Sequence, residues 1–313
     1  MIEHLLESMR VIALPTRTNF RGINLREVAL FQGPQGWSEF SPFLEYDDHE
    51  ASRWLACAIE AATETAPKLF RDSVLVNGTI PALNDLKQIE EIADRFPGCT
   101  TFKIKVGDNH EEDLARVSHM RAIRPNANLR IDVNGGWTVD QAVKNIEALQ
   151  NVAGRLQYAE QPCETVEELR ELKSKVDITI AGDEVLRKAA DPFSVDLEGA
   201  VDILMLKVQP LGGIKKAHEL AEHHKLPVVV SSALESAVGI NYGLKLAASF
   251  ESELLASGLG TGSLLSSNVA ELPIINGAIS IAEITPKLDG YEVAPDRYQW
   301  WKNRVMRTAE LLS

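Results

Sequence analysis

The stretch that decides the fold is TFKIKVG, residues 101–107, answered one module later by LRIDVNG, residues 129–135. In the first, Phe102, Ile104 and Val106 alternate with Lys103 and Lys105. In the second, Leu129, Ile131 and Val133 alternate with Arg130 and Asp132. Side chains of a strand point to opposite faces in turn, so each stretch has one apolar face and one charged face. The apolar face suits packing under helices, and the charged face suits the inside of a barrel. Between the two stretches, HEEDLARVSHMRAI (110–123) has helical length and composition. Strand, helix and second strand make a parallel βαβ unit.

Working outward, the same module repeats. Strand-like runs occur at 74–80, 101–107, 129–135, 156–162, 178–184, 202–210, 227–235 and 257–262. Helix-compatible stretches such as 83–96 and 138–150 separate them. Eight units predict a closed (β/α) barrel, with an open doubly wound sheet as the competitor. Before residue 74 the pattern changes. MRVIALP (9–15) and NLREVALFQ (24–32) read as antiparallel strands joined by a polar connection over 16–23, and a helix follows over 49–66. After residue 273, IINGAISIAEI and GYEVA return to short strand-like pieces. The expected organisation is a capping α+β domain from 1–73, a barrel from 74–273, and a segment 274–313 returning to the cap. Loop 16–23 is expected either as a plain hairpin or, slightly favoured, as a lid over the barrel mouth.

Lys105, Asp132, Glu160, Asp183 and Lys207 follow one another at 27, 28, 23 and 24 residues. Each step is about one module, so each charge falls near the same height on successive strands, at the C-terminal mouth where barrel active sites are built. Burying three carboxylates together is costly unless they are paired or metal-bound. All-oxygen ligands with open positions suit Mg²⁺, with Mn²⁺ as a substitute, better than zinc. The bland alternative is a set of structural ion pairs; five charges in register on successive strands count against it.

These residues resemble the enolase superfamily, and within it the muconate-lactonizing-enzyme subgroup. The carriers are Lys103-Ile104-Lys105, Asp132-Val133-Asn134, Glu160-Gln161-Pro162, Gly182-Asp183-Glu184 and the run from Lys207 to Gly212-Gly213. Further carriers are Phe20-Arg21-Gly22-Ile23, Arg26-Glu27, residues 36–43 (GWSEFSPF), Arg130, and Ser231 to Ser236. They point to the branch of the subgroup that dehydrates 2-succinyl-6-hydroxy-2,4-cyclohexadiene-1-carboxylate in menaquinone biosynthesis.

The resemblance implies an enolase-type barrel with a cap built from both chain ends. It implies Asp132, Glu160 and Asp183 as metal ligands, Lys105 as the base, and Lys207 as a charged stabiliser of an enediolate. Substrate contacts are expected from Lys103, Arg130, Asn134, Ser232, Gly260, Phe20 and Arg21. The alternative within the subgroup is an N-acylamino-acid racemase or another racemase or cycloisomerase. A dipeptide epimerase would carry an acidic pair near the eighth strand, where this chain has GLGTGS (258–263).

The chain has 313 residues, 45% hydrophobic and 25% charged, which excludes a disordered or fibrous protein. A net charge of −13 disfavours nucleic acid and anionic membranes as partners, and the small-molecule carboxylate substrate that the resemblance implies would have to meet local cations. MIEHLLESMR does not read as a signal peptide and no apolar run approaches a membrane span, so a cytoplasmic location is expected. Cys57, Cys99 and Cys163 lack metal spacing and read as idle thiols. Gly258-Leu259-Gly260-Thr261-Gly262 lacks the full dinucleotide fingerprint and is expected as a strand end near a substrate carboxylate. His223-His224 read as a solvated helix end, and Trp300-Trp301 as packing residues. A barrel that only binds would predict a broken motif, and none of the five charges is missing. The sequence leaves the oligomeric state open.

Overall fold

The computed structural model describes residues 2–20, 22–107 and 109–312, the side chains of Asn19 and Phe20 excepted. The chain opens with α1 (Ile2–Ser8), then an antiparallel sheet of β1 (Arg10–Phe20), β2 (Ile23–Gly33) and β3 (Gly36–Phe40). The connection expected over 16–23 is mostly strand: Pro15 pairs with Leu25 and Phe20 with Ile23, across a register shift. A hairpin arm that stands off the core keeps its ladder without apolar alternation, so its polarity imitated a loop. Next, α2 (Asp48–Thr63) starts on Asp47, whose carboxylate accepts from the Glu50 N–H. It lays Trp54, Leu55 and Ala58 against a core that includes Phe40 and Phe43.

The run 74–80, expected as one strand, is two: β4 (Ser73–Leu75) and β5 (Gly78–Ile80). The break falls at Val76 and Asn77, whose N–H groups go to the Gly277 and Ser257 carbonyls. The barrel then runs through α3 (Leu86–Ala93), β6 (Thr101–Lys105), α4 (His110–Ile123), β7 (Asn128–Asp132) and α5 (Val139–Ala153). It continues with β8 (Tyr158–Glu160), α6 (Val166–Lys175), β9 (Ile180–Gly182), α7 (Glu184–Arg187), β10 (Ile203–Lys207) and α8 (Val208–Leu211). The last pieces are α9 (Ile214–His224), β11 (Val228–Ser231) and α10 (Ala237–Ala248). Local chemistry sets the helix starts: Thr138 with Gln141 and Thr165 with Glu168 form capping boxes on α5 and α6.

Strands β5 to β11 form one parallel sheet in sequential order. The eighth place holds no strand of its own. Ser257 bridges Val76 and Gly258 bridges Ser231, and the chain then enters a 3-10 turn, Gly260–Leu264. The approach to Ser231 is so close that a Cβ on Gly258 would lie 2.4 Å from the Ser231 hydroxyl. Outward-facing Phe102, Ile104, Leu129, Ile131, Leu204 and Leu206 pack under the helices. Inside, Tyr158, Ala181, Ile203, Met205 and Val229 make a separate small core. Tyr158 therefore shares the inner face with Glu160, whereas Leu156 precedes the strand and sits in the outer core.

The chain does not return to the cap at residue 274. β12 (Ala278–Ser280) pairs with β4 at the start of the barrel, and Ile274 and Ile279 join the large core that runs from the barrel to β1 and β2 of the cap. The return comes at Tyr291 and Val293, which bond to Ala13 and Val11 at the free edge of β1. The last helix, α11 (Pro295–Glu310), seats Trp301 edge-on to Phe40 with 5.9 Å between ring centroids. The Trp301 indole donates to Glu27 Oε2 at 2.7 Å, a packing role. His224 at the end of α9 contacts the Pro192 carbonyl at 3.0 Å. All three cysteines are free thiols. Among the described residues no helix is long and apolar enough to cross a membrane.

Cap and barrel are bolted together by carboxylates. Glu60 of α2 accepts from the Ile214 N–H at 2.5 Å, the Lys215 N–H at 3.3 Å and the Tyr242 hydroxyl at 2.6 Å. A Cβ on Gly213 would lie 2.5 Å from that carboxylate, so the second glycine of Gly212-Gly213 is where the lobes touch.

Candidate active site

Lys105, Asp132, Glu160 and Lys207 are the last residues of β6, β7, β8 and β10, and Asp183 follows β9 directly. Lys105 pairs with Asp132, and Asp132 with Glu160, as register partners across the sheet. The module spacing in the chain thus becomes a row of charges at one height. Lys105 stands at one end of the row and Lys207 at the other.

In this arrangement the lysines close the carboxylates. Lys103 Nζ lies 2.8 and 2.9 Å from the two Glu160 oxygens and 3.0 Å from Asp132 Oδ2. Lys105 Nζ donates to Asp132 Oδ2 at 2.6 Å and to Asn134 Oδ1, and Lys207 Nζ to Asp183 Oδ2 at 2.5 Å. Asp183 also meets Arg187 at 3.2 Å, and Arg187 meets Glu184 at 2.7 Å. Burial alone would raise the carboxyls of Asp132 and Asp183. Lys103 and Lys105 for the former, and Lys207 and Arg187 for the latter, outweigh it and hold both below the usual carboxylate range. Glu160 goes the other way: burial, then the Asp132 charge, push it up to about 7 against the pull of Lys103. Burial works against the Lys103 ammonium, yet Asp132 and Glu160 raise it well above its ordinary value.

Gln161, named only as a motif member, and Asn134, expected as a substrate contact, set the geometry. Gln161, at a positive φ of 41°, turns its Oε1 to accept from the Asp183 and Val185 N–H groups at 3.0 and 3.2 Å. It thereby ties the end of β8 to the start of α7. Asn134, at φ 55°, links Lys105 to Glu184, donating to Glu184 Oε1 at 3.1 Å. The sequence offered no signal for these bracing roles beyond the motifs, because the left-handed turns that aim the two side chains are not visible in strand periodicity.

The row opens into a cavity of about 560 Å³ lined by Lys103, Lys105, Asp132, Asn134, Lys207 and Ser232 among others. Gly258, Thr261, Glu184, Arg187, Lys188 and the aromatics Phe43, Tyr46 and Trp54 also line it. Gly22 brings the hairpin tip to the same rim. Arg21 lies outside the described residues, as does the Phe20 side chain. Glu160 and Asp183 sit fully buried beneath the floor.

Two expected contacts are corrected. Arg130 is fully buried and does not line the cavity. It sits two residues, about 6–7 Å, below Asp132 on the strand, bonded to Gln157, Asn77 and the Ala256 carbonyl and stacked 4.6 Å over Tyr158. Gly260 does not line the cavity either, and a Cβ built on it would meet the Asn77 carbonyl and the Phe96 ring. Gly258 and Thr261 take the place expected of it, because the chain curls into the 3-10 turn instead of extending as a strand. Lys188, which lines the rim, carried no motif signal.

Among the described residues, no three His, Cys, Asp or Glu side chains stand close enough to hold a metal as now arranged, since lysines lie between them. The donor chemistry nonetheless fits a hard divalent cation. All three candidate ligands are carboxylates on adjacent strand ends, and Asp132 Oδ1 is buried with no hydrogen-bond partner.

Residues 86–283 match the enolase C-terminal domain-like family model and residues 11–62 the enolase N-terminal domain-like model. The o-succinylbenzoate synthase of Mycobacterium ulcerans is 46% identical, covering 98% of this chain and 95% of its own. That of Mycolicibacterium smegmatis is 45% identical, covering 97% and 96%. Among solved structures, the L-Ala-D/L-Glu epimerase from Bacillus subtilis aligns with a TM-score of 0.75 at 21% identity, covering 91% of this chain and 98% of that one. The muconate lactonizing enzyme from Pseudomonas putida aligns at 0.71 and 19%, covering 93% and 97%. The dipeptide epimerase from Enterococcus faecalis, complexed with Mg and a dipeptide, aligns at 0.73 and 21%, covering 90% and 97%. These structures share the fold, whereas the mycobacterial relatives share nearly half the residues from end to end. The chain belongs to the enolase superfamily and, within it, to the o-succinylbenzoate synthase family.

Proposed function

We propose that the protein dehydrates 2-succinyl-6-hydroxy-2,4-cyclohexadiene-1-carboxylate to 2-succinylbenzoate, as a cytoplasmic enzyme of menaquinone biosynthesis. The observation that carries this reading is the row of three carboxylates with Lys105 and Lys207 facing one cavity from its two ends. It occurs in a chain 46% identical, nearly end to end, to an o-succinylbenzoate synthase.

Charge balance supports the substrate class. Asp132, Glu160, Asp183 and Glu184 are matched by Lys103, Lys105, Lys207 and Arg187. With a divalent cation bound and Lys105 in the neutral form that can take a proton, the site would carry one net positive charge toward an anionic substrate. Lys188 at the rim adds a cation for the substrate carboxylate farther from the reacting carbon.

Asp132, Glu160 and Asp183 would hold Mg²⁺ or Mn²⁺. When bound, the metal supplies electrostatic stabilisation of the second negative charge that builds on the substrate carboxylate. The chain's own groups do the rest. Lys105 Nζ takes the proton from the carbon bearing the carboxylate, and the C–H electron pair moves into that carboxylate to form the enediolate. The pair then returns to make the ring double bond as the C–O bond to the neighbouring hydroxyl breaks. The proton held on Lys105 leaves with that hydroxyl as water, and the ring is aromatic. Lys207 stays charged and holds the anionic intermediate, while Ser232, Thr261 and the aromatic rim orient the substrate.

A second reading, N-acylamino-acid racemisation, uses the same lysine pair for proton exchange on both faces. Dipeptide epimerisation is disfavoured: the wall that would take a peptide amine is Ser232, Gly258 and Thr261, with no acid. The test is incubation with the cyclohexadiene and Mg²⁺. Turnover to 2-succinylbenzoate supports the reading, and an inert diene beside racemised N-acylamino acid would replace it.

A further inference from the structure

Two stretches that carry the family resemblance, 36–43 in the cap and 231–236 on the barrel, enter the reaction above only through Phe43 and Ser232, which leaves Glu39, Ser41 and the turn 233–236 without a role. The fold brings them together. Glu39, near the end of β3 and only 3% exposed, crosses from the cap to the start of α10. Its carboxylate accepts from the Ser236 N–H at 3.2 Å, the Gly239 N–H at 3.0 Å and the Ser236 hydroxyl at 2.5 Å. Ser41, itself in the cap, donates to the other oxygen at 2.6 Å. The first N–H groups of a helix lack partners within it and favour negative charge, so a carboxylate there is well held.

The turn leading into α10 is strained. Leu234 has φ 61°, a conformation that a bulky side chain rarely adopts. Arg26 of the cap grips it, donating from Nε to the Leu234 carbonyl at 3.0 Å and from Nη2 to the Ser41 carbonyl. The Ala233 N–H turns back to Glu235 Oε2 at 2.6 Å. Ser231, Ser232 and Ala233 line the cavity, and Ser231 is the register partner of Lys207. Ser232 continues the wall by donating to the Gly258 carbonyl at 2.6 Å and meeting the Thr261 hydroxyl at 2.8 Å.

We infer that Glu39 is a positioning residue for the reaction: from the cap, it fixes the turn Ala233–Glu235 and with it the substrate-facing wall beside Lys207. Glu39 touches no substrate. It acts by holding α10 and the strained turn in one arrangement, so the cap contributes to the shape of the site and not only to its cover.

The kinetic test rests on the function proposed above, and a second readout does not. Glu39→Ala should raise KM about 10-fold or more, with a smaller change in kcat, because the misplaced wall contacts substrate. Glu39→Gln keeps one oxygen for the helix N–H groups and should stay within about 3-fold of wild type. A residue that only stabilises the fold would instead lower kcat in proportion to lost protein and leave KM alone; that result overturns the inference. Amide hydrogen exchange needs no turnover. It should quicken at 233–239 in Glu39→Ala and remain as in wild type on α4 and α5, and unchanged protection at 233–239 overturns the inference as well. If Glu39→Ala does not fold, Ser236→Ala serves: a smaller rise in KM in the same direction supports the assignment, and an unmoved KM contradicts it. Wild-type protein inert toward the diene would count against the reaction, leaving the exchange result to judge Glu39.

Discussion

Lys105 and Lys207 occupy equivalent strand ends but opposite ends of the carboxylate row, and their replacement should separate their roles. Lys105→Ala should lower the dehydration rate at least ~10³-fold, since positioned proton transfer is commonly worth ~10²–10⁴ and the neighbouring Lys103 is held by Glu160 and Asp132. Lys207→Arg keeps the charge and should retain part of the synthase activity while losing most exchange of solvent deuterium into N-acylamino acids. Equal loss of both activities in both variants would mean that the lysines work as a pair in dehydration too. In the turn behind the cavity wall, burial and then Glu39 push the Glu235 carboxyl up to about 7. A folded-state value above the unfolded ~4.5 gives stability that is full at low pH and is lost as pH rises through 7, a span of about 3 kcal/mol. Glu235→Gln should therefore have a Tm that falls less between pH 5 and pH 8 than wild type; identical falls would show that Glu235 does not titrate there. The five charges could be read from the sequence because strand alternation and module length both act on them. Arg130 misled because parity gives the face a side chain points to but not its depth along the barrel, and Gly260 because a glycine-rich run read as a strand end curls into a 3-10 turn.

At the scale of elements, what decides the site is how each strand ends. β6, β7, β8 and β10 stop on their functional residue, and β9 stops one residue short, leaving Asp183 to begin a one-turn helix held by Gln161. Periodicity located these strands, since each has an apolar outer face pressed by a helix. It failed where pairing partners come from far along the chain. Run 74–80 was split because Val76 and Asn77 bond to Gly277 and Ser257, contacts no local pattern encodes. The eighth strand was reduced to two bridging residues because Gly258 must pass against Ser231. The Gly212-Gly213 turn is the sharpest element-level test. An added methyl at Gly213, already at φ 126°, would meet the Glu60 carboxylate. Gly213→Ala should destabilise by roughly 2–4 kcal/mol through strain and a displaced helix contact, visible as a Tm several degrees lower. A Tm within one degree of wild type would show that the cap yields easily at this contact.

For the whole molecule, the net charge of −13 and the cation-lined cavity are two sides of one arrangement. The surface carries the acidic excess, while lysines and arginines from β6, α7 and β10 are concentrated where an anionic substrate would sit. The cap completes that cavity with Phe43, Tyr46 and Trp54 and is joined to the barrel through Glu39 and Glu60. That both chain ends share one lobe was readable from their change of pattern. The position of the return was not, because Ile274 and Ile279 are apolar residues in a core that both lobes share and give no sign of which lobe their backbone pairs with. Metal-assisted dehydration at the carboxylate row would draw on all of these features. It is tested most directly by following the diene absorbance of 2-succinyl-6-hydroxy-2,4-cyclohexadiene-1-carboxylate with the protein and Mg²⁺, before and after exhaustive chelation. The expected result is loss of the diene with stoichiometric 2-succinylbenzoate, abolished by chelation and restored by added Mg²⁺. A diene signal that persists with Mg²⁺, or a rate that survives chelation undiminished, would contradict the account.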